Sequence, residues 1–219
     1  MAALDPGAQF WLNWWVQLAV AIATFTVAIV ALFGEGFRAK FFPPILELDL
    51  PDTSGEKTKA QLRWIENGTL HERTEDARYY HLRARNSRRW SAANQCHVVL
   101  LRLEQPAADG AFIAMWSGDV PLTWRQPSSP LRTIGPPALV DLCSVVKDKW
   151  LQLHPLVTPN NLETLWREPA SLILTVQCRS NERESNALRV RIDWDGKWHD
   201  GAAEMRRHLI VKVLDEQIV

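Results

Sequence analysis

The sequence is poor in the residues that staple chains, clasp metals or cradle phosphates. It holds three cysteines in 219 residues. Three thiols cannot all pair within one chain, which argues against a small secreted domain held by disulfides. No C-x-x-C, H-E-x-x-H, G-x-G-x-x-G or G-x-x-x-x-G-K-[ST] occurs, so zinc clusters and the common phosphate loops are missing at the level of motif. Net charge is also missing: 25 Lys and Arg balance 25 Asp and Glu. Polyanion binding usually needs a basic excess, so no nucleic-acid polymer is expected as a partner. The first ten residues hold no Lys or Arg, which removes the basic n-region of a cleaved signal peptide. Beyond Phe42 the only phenylalanine is Phe112, although the chain has eleven tryptophans.

What is present is asymmetric. Residues Phe10 to Phe33 read FWLNWWVQLAVAIATFTVAIVALF, with no charge, proline or glycine. At about 1.5 Å per residue this run spans roughly 36 Å, enough for a hydrocarbon core near 30 Å. Trp11, Trp14 and Trp15 crowd one end, where an interfacial aromatic belt would sit. The run is read as one membrane-spanning helix, 10–33, preceded by a short extracytoplasmic tail, 1–9, and followed by a juxtamembrane linker, 34–44. Arg38 and Lys40 follow the run, and the positive-inside rule then expects the remainder, 45–219, in the cytoplasm.

Past Pro43-Pro44 the pattern changes to alternation. Leu46, Leu48 and Leu50 alternate with Glu47 and Asp49, the period of a strand with one buried face. Similar alternation runs over 78–86, 171–179, 187–194 and 209–213, while 95–104 reads as a strand from its β-branched and leucine content and 120–124 and 139–146 as short strands set off by glycine and proline. In 78–86 it sets Tyr80, Leu82 and Ala84 against Tyr79, His81, Arg83 and Arg85. Residues 51–77 are polar, contain a glycosylation-type tripeptide at Asn67-Gly68-Thr69, and read as a long loop or a poorly ordered hairpin. Residues 160–166 and 202–208 are short enough for one helical turn each. About eight strands without long intervening helices predict a mainly β fold. One apolar N-terminal helix is thus followed by a single β-sandwich.

The stretch Tyr80 to Leu103, YHLRARNSRRWSAANQCHVVLLRL, carries a resemblance. Its strand, Asn86, polar turn, Ala92, Asn94 and second strand with Val98 are similar to the immunoglobulin-like sandwiches of bacterial adhesion type. The layout resembles bacterial single-pass membrane proteins with one such domain. The glycine usual in that turn is replaced by Ser87-Arg88-Arg89-Trp90. The resemblance implies an immunoglobulin-like fold and a bacterial inner-membrane location. It carries no catalytic residues.

Candidate chemistry is sparse. Cys96, Cys143 and Cys178 fall inside strand patterns and read as small core residues. His81 and His97 lie on segments that would be near each other if their strands pair, but no third ligand accompanies them, so no metal site is expected. Asp193 and Asp195 flank Trp194 and read as turn formers. No nucleophile–base constellation appears, so neither an enzyme nor a cofactor is expected.

Arg83, Arg85, Arg88 and Arg89 cluster beside Trp90 in a stretch with no acid from Ala77 to Leu103. Guanidinium groups beside an indole can bind phosphate or an acidic partner. Trp64, Trp90 and Trp124 fall in loop-like contexts and would mark a recognition surface if exposed together. Along the apolar helix, Asn13, Gln17, Ala21, Thr24 and Ala28 form one stripe suited to self-association. The functional expectation is a membrane-anchored, cytoplasm-facing binding or interaction module. The alternative is a membrane signalling or defence effector whose sandwich senses a small, nucleotide-like anion. Expected partners are the bilayer, a second copy through the helix, and an unknown protein or small anionic ligand.

Overall fold

In a computed structural model, residues 6–66, 68–88, 90–126 and 130–214 are described. The chain forms two compact units, Met1–Pro43 and Pro44–Val219. The first unit is one helix, α1 (Pro6–Phe41). It opens at a proline, whose fixed φ suits the first helical position, and gives way to Pro43-Pro44, which cannot extend it. Its Asn13–Ala31 window is apolar enough to cross a membrane, and none of that window is buried. The helix is longer than the apolar run. It continues through Gly34 and Gly36, where a linker was expected, because isolated glycines weaken a helix without ending it.

The second unit is mainly β, as the alternation predicts. Its described residues form twelve strands and one short helix. In chain order these are β1 (Leu46–Asp49), β2 (Glu56–Glu66), β3 (Thr69–Asn86), β4 (Ala93–Pro106), β5 (Phe112–Pro121) and β6 (Arg132–Ile134). They are followed by β7 (Ala138–Val146), β8 (Trp150–Leu153), β9 (Leu165–Trp166), β10 (Ala170–Arg179), β11 (Leu188–Trp194), α2 (Ala202–His208) and β12 (Leu209–Leu214). The strands make two antiparallel six-stranded sheets in a sandwich-like arrangement. One sheet runs β1-β3-β7-β8-β9, with β2 also on β3. The other runs β12-β11-β10-β4-β5, with β6 also on β4.

The inward sets come from both sheets and share one core. Tyr80, Leu82, Ala84, Val140, Leu142 and Leu151 from the first meet Val98, Leu100, Leu172, Leu174, Val190 and Ile192 from the second. Tryptophan takes the place of phenylalanine here: Trp116, Trp124, Trp166 and Trp194 are buried. Trp124 was expected in a loop-like recognition context. Instead it is 2 % exposed, and its indole N–H donates to the Pro130 carbonyl at 3.0 Å. The three cysteines are buried and free. Asn86 is buried too. Its side-chain oxygen accepts from the backbone N–H of Ile45 and Arg88, and its amide donates to Ser91, so it pins the β3–β4 connection.

Several expectations are corrected. Of residues 51–77, read as a long loop or a poorly ordered hairpin, 51–55 are a loop, and β2 with the start of β3 forms a regular hairpin. Short strands β6, β8 and β9 have too few residues to show a period. Strand β5 begins at Phe112 rather than Val120, and its register shifts break the alternation. No helical turn forms over 160–166, where a turn leads into β9, whereas α2 does form. Val213 is 38 % exposed instead of inward. His81 and His97 lie in different sheets and do not pair.

Gly55 sits where the hairpin joins the sandwich, with φ +68. A Cβ there would lie 2.8 Å from both Arg78 Cγ and Tyr80 Cζ. Gly55→Ala combines a left-handed backbone with overpacking and should lower unfolding stability by about 1–3 kcal/mol. Chemical denaturation of the full chain in detergent checks this. A loss below about 0.5 kcal/mol would mean the contact relaxes freely.

Candidate interaction surface

Strand β3 carries the site. Over 69–79 one of its edges pairs with β2, and over 83–86 the same edge pairs with β1. Its other edge pairs with β7 only over 77–84. Residues 69–75 therefore pair with β2 alone and with it make a two-stranded arm, and at its base the Asp76 carbonyl also accepts from the Lys147 N–H at 2.8 Å. Glu66 pairs with Thr69 across a two-residue connection in which Gly68 has φ +77. That is the geometry the Asn-Gly dipeptide favours.

Isolated two-stranded ribbons are marginal in water. Here cross-strand contacts reinforce the pairing. Arg63 holds its register partner Glu72 at 2.8 Å. Asp76 receives both Lys57, at 3.4 Å, and its register partner Lys59. The Lys59 hydrogen bond holds the Asp76 carboxyl below its ordinary range. Trp64 stacks on its partner His71 with ring centroids 5.4 Å apart. The tip beside this stack is apolar and open: Ile65 is 75 % exposed and its partner Leu70 is 59 % exposed.

At the root of the arm, the outward face of the first sheet carries a polar cluster. The His81 ring nitrogen Nδ1 lies 2.8 Å from Asp141 Oδ1. Its Nε2 lies 3.8 Å from Glu56, which in turn holds Arg125 at 2.6 Å. Tyr79 stacks between His81 and His154, at centroid distances of 6.3 and 5.2 Å. His154 Nε2 lies 2.8 Å from Ser144 Oγ. Burial pushes the His154 imidazole below its usual value, against the opposing pull of Asp141. Ser144 is 1 % exposed and also bonds Tyr79, so the Ser144–His154 pair braces the sheet face and does not present a hydroxyl to a substrate.

The arginine cluster looks different in three dimensions. Arg83 and Arg85 do share one face of β3, and each is answered by a carboxylate of β1. Arg83 makes two hydrogen bonds to Asp49, at 3.0 and 2.7 Å. Arg85 meets Glu47 at 2.6 Å. Arg88 stands over the Trp90 ring at 5.3 Å, and Trp90 is exposed. Arg89 lies outside the described residues. The acids were in the sequence, in Glu47 and Asp49, but pairing β1 with the end of β3 was needed to see them. The helix stripe Asn13, Gln17, Ala21, Thr24 and Ala28 is exposed along α1, although the Thr24 hydroxyl donates to Val20 O within the helix. Among the described residues no group of three His, Cys, Asp or Glu is arranged to hold a metal ion.

The arm tip, and the Glu56–His81–Asp141 cluster, were not singled out from sequence. The signal for the tip was present: Asn67-Gly68 flanked by apolar Trp64-Ile65 and Leu70 inside a polar segment. No family model matches the chain, and no curated protein matches it.

Two outcomes follow. Arg83→Gln with Arg85→Gln should cost no more than about 1 kcal/mol per pair, because half-exposed ion pairs are weak. The double variant should also leave inorganic phosphate binding by the full chain unchanged in calorimetric titration. Loss of phosphate binding would show that these guanidiniums serve a ligand despite their carboxylates. The second concerns pH. The depressed folded pKa of His154 means the unfolded chain takes up this proton first as pH falls below the ordinary value of 6.5. Stability should therefore decline as pH drops from about 6.5, well above the window in which the lowered carboxyls of Asp52, Asp76 and Asp200 act. His154→Gln should flatten that decline in denaturation curves taken between pH 7 and 5. An unchanged slope would remove His154 as its source.

Proposed function

We propose that the chain is a membrane-anchored interaction module whose β unit meets its partner through the β2–β3 arm. The observation that carries this reading is the arm tip. Trp64, Ile65 and Leu70 are exposed at the end of a hairpin whose other outward positions are mostly polar. Exposed apolar groups grouped at one tip are unfavourable in water unless something covers them. The chain enters the β unit at Ile45, beside Asn86, at the opposite end of β3 from the tip. The roughly 17 residues between span about 56 Å, so the tip stands well away from the entry point within that unit.

The N-terminal helix, long and apolar enough to span a membrane, supports anchoring. Arg38 and Lys40 after the apolar run support a β unit on the cytoplasmic side, and three free buried thiols suit a reducing compartment. A bacterial inner membrane and an immunoglobulin-like topology go with the resemblance over Tyr80 to Leu103. The alternative, sensing of a nucleotide-like anion at Arg83, Arg85, Arg88 and Trp90, is weakened by Asp49 and Glu47, which already hold two of those guanidiniums. No catalytic role is assigned.

The test uses the full chain in its native membrane. A photo-crosslinking residue at Ile65 should give a discrete adduct, and the same residue at Asp109, in another exposed turn, should give none. The chain should stay in the pellet after alkaline carbonate extraction. A reporter fused after Val219 should be active as a cytoplasmic enzyme and silent as a periplasmic one. Release by carbonate would sink the anchor, an active periplasmic reporter the orientation, and equal adducts at both positions the role of the arm.

A further inference from the structure

The arm has a second property that the tip does not explain. Strand β2 pairs with β3 on one edge, and among the described residues its other edge pairs with nothing. Eleven residues of open edge are a template for another strand. Glu66 and Thr69 flank a two-residue connection, so they form a hydrogen-bonded pair, and the alternation turns the backbone groups of the odd-numbered residues 57–65 outward.

We propose that β2 pairs antiparallel with β2 of a second copy, with Leu62 opposite Leu62 on the two-fold axis. This inference rests on the reading that the arm is an interaction element, and it names the partner. A two-fold axis between antiparallel strands is normal to the sheet, so partners share parity and only alternate registers are allowed. The neighbouring registers are unfavourable. Gln61 on the axis sets Lys59 against Arg63 and Glu56 against Glu66. Arg63 on the axis sets it against itself. Like charges directly opposite destabilise a sheet.

With Leu62 on the axis no like charges meet. Thr58 faces Glu66, Lys59 faces Ile65, Ala60 faces Trp64 and Gln61 faces Arg63. Leu62, Ala60 and Trp64 lie on one face of β2, that of the small cluster of Ala60, Ala77 and Val146. The register therefore joins two apolar strips, and it covers Trp64 and Ile65 with residues of the second copy. Leu62 also falls at a non-hydrogen-bonded position toward the second copy, where side chains approach most closely. An edge of this size is a weak glue in dilute solution. Confinement of the copies to one membrane would raise their effective concentration and favour pairing.

Cysteine cross-linking of the full chain in proteoliposomes tests the register. The native thiols Cys96, Cys143 and Cys178 are buried, so background oxidation should be low. Leu62→Cys should give a disulfide-linked dimer under mild oxidation, at least fivefold above Gln61→Cys and Arg63→Cys. Mixed Ala60→Cys and Trp64→Cys chains should form a heterodimer, which keeps the test alive if Leu62→Cys folds poorly. Gln61→Pro removes an outward N–H without touching the β3 ladder, and it should abolish the Ala60–Trp64 cross-link. Strongest cross-linking at position 61 or 63, or none at any position, would overturn the pairing. The Ile65 photo-crosslink separates this failure from that of the broader reading. An adduct with a different protein, and no Leu62 disulfide, removes the second copy and leaves the arm as an interaction element. Neither product removes both.

Discussion

The structure depends on how one strand spends its backbone hydrogen bonds. Strand β3 is eighteen residues long, and its two edges are used unequally. Where β7 lies alongside, from Ala77 onward, β3 belongs to the sandwich. There Tyr80, Leu82 and Ala84 are fully buried, and the intervening residues stay polar. Before Ala77 the strand runs beside β2, with one further bond from the Lys147 N–H to the Asp76 carbonyl, and its side chains other than Leu70 are polar. A register shift between Tyr80 and His81 falls within the β7-paired stretch. Bulges increase local twist and re-aim side chains, and His81 emerges from this one directed at Asp141 and Glu56. The outward face of β3 thus carries the His81 cluster near the root of the arm, and the arm itself is β3 running on past the sheet.

This explains what was legible in the sequence. Periodicity is a record of one-sided burial. It gave the apolar helix, the inward residues of β3, β10 and β11, and the mainly β class. It was silent where burial is absent or where strands are short. The arm is mostly exposed: in β2 the period of two is confined to Ala60, Leu62 and Trp64, of which only Ala60 is buried, and around them Lys57, Lys59, Arg63, Glu72 and Asp76 stay polar. Its clearest local signature was the Asn-Gly turn flanked by Trp64-Ile65 and Leu70, a feature of chain geometry rather than burial. Trp124 was misplaced for the opposite reason. It lies just beyond β5, on an isolated bridge to Val140, yet it is deeply buried. Spacing reports the local chain and is blind to tertiary burial contributed by a residue outside the strands.

The root of the arm is held by an unusual buried group. Arg78 is 3 % exposed, and its guanidinium donates to the carbonyls of Ser54, Gly55 and Asp200. Its Nε and the neighbouring Tyr80 hydroxyl have no hydrogen-bond partner among the described residues. Buried charge is costly unless it is well satisfied. Three carbonyl acceptors from two separate loops lower that cost, and they also tie those loops to β3. The charge therefore fixes the point where the hairpin leaves the sandwich. Gly55 completes the fit, because only a residue without a Cβ allows the turn to close over the Arg78 stem and the Tyr80 ring.

The zero net charge of the chain has a local counterpart. Arg83 meets Asp49, Arg85 meets Glu47, Arg63 meets Glu72, Arg125 meets Glu56, and Arg189 meets Glu104. Pairs of this kind contribute little stability individually. Their collective effect is to remove strong single-sign fields from the faces where they lie, and with them much of the long-range steering that a cationic or acidic surface would exert. Recognition on those faces then has to come from shape, open backbone groups and exposed apolar side chains. Those three coincide on the arm: a strand edge unpaired among the described residues, an apolar tip at Trp64, Ile65 and Leu70, and a root held at Arg78. The charges on β2 have a further effect. Lys57, Lys59 and Arg63 guard the edge against indiscriminate pairing, because any incoming strand must offer residues that tolerate them in register. An edge so guarded is selective by exclusion, and this sets an open strand that recognises one partner apart from one that aggregates.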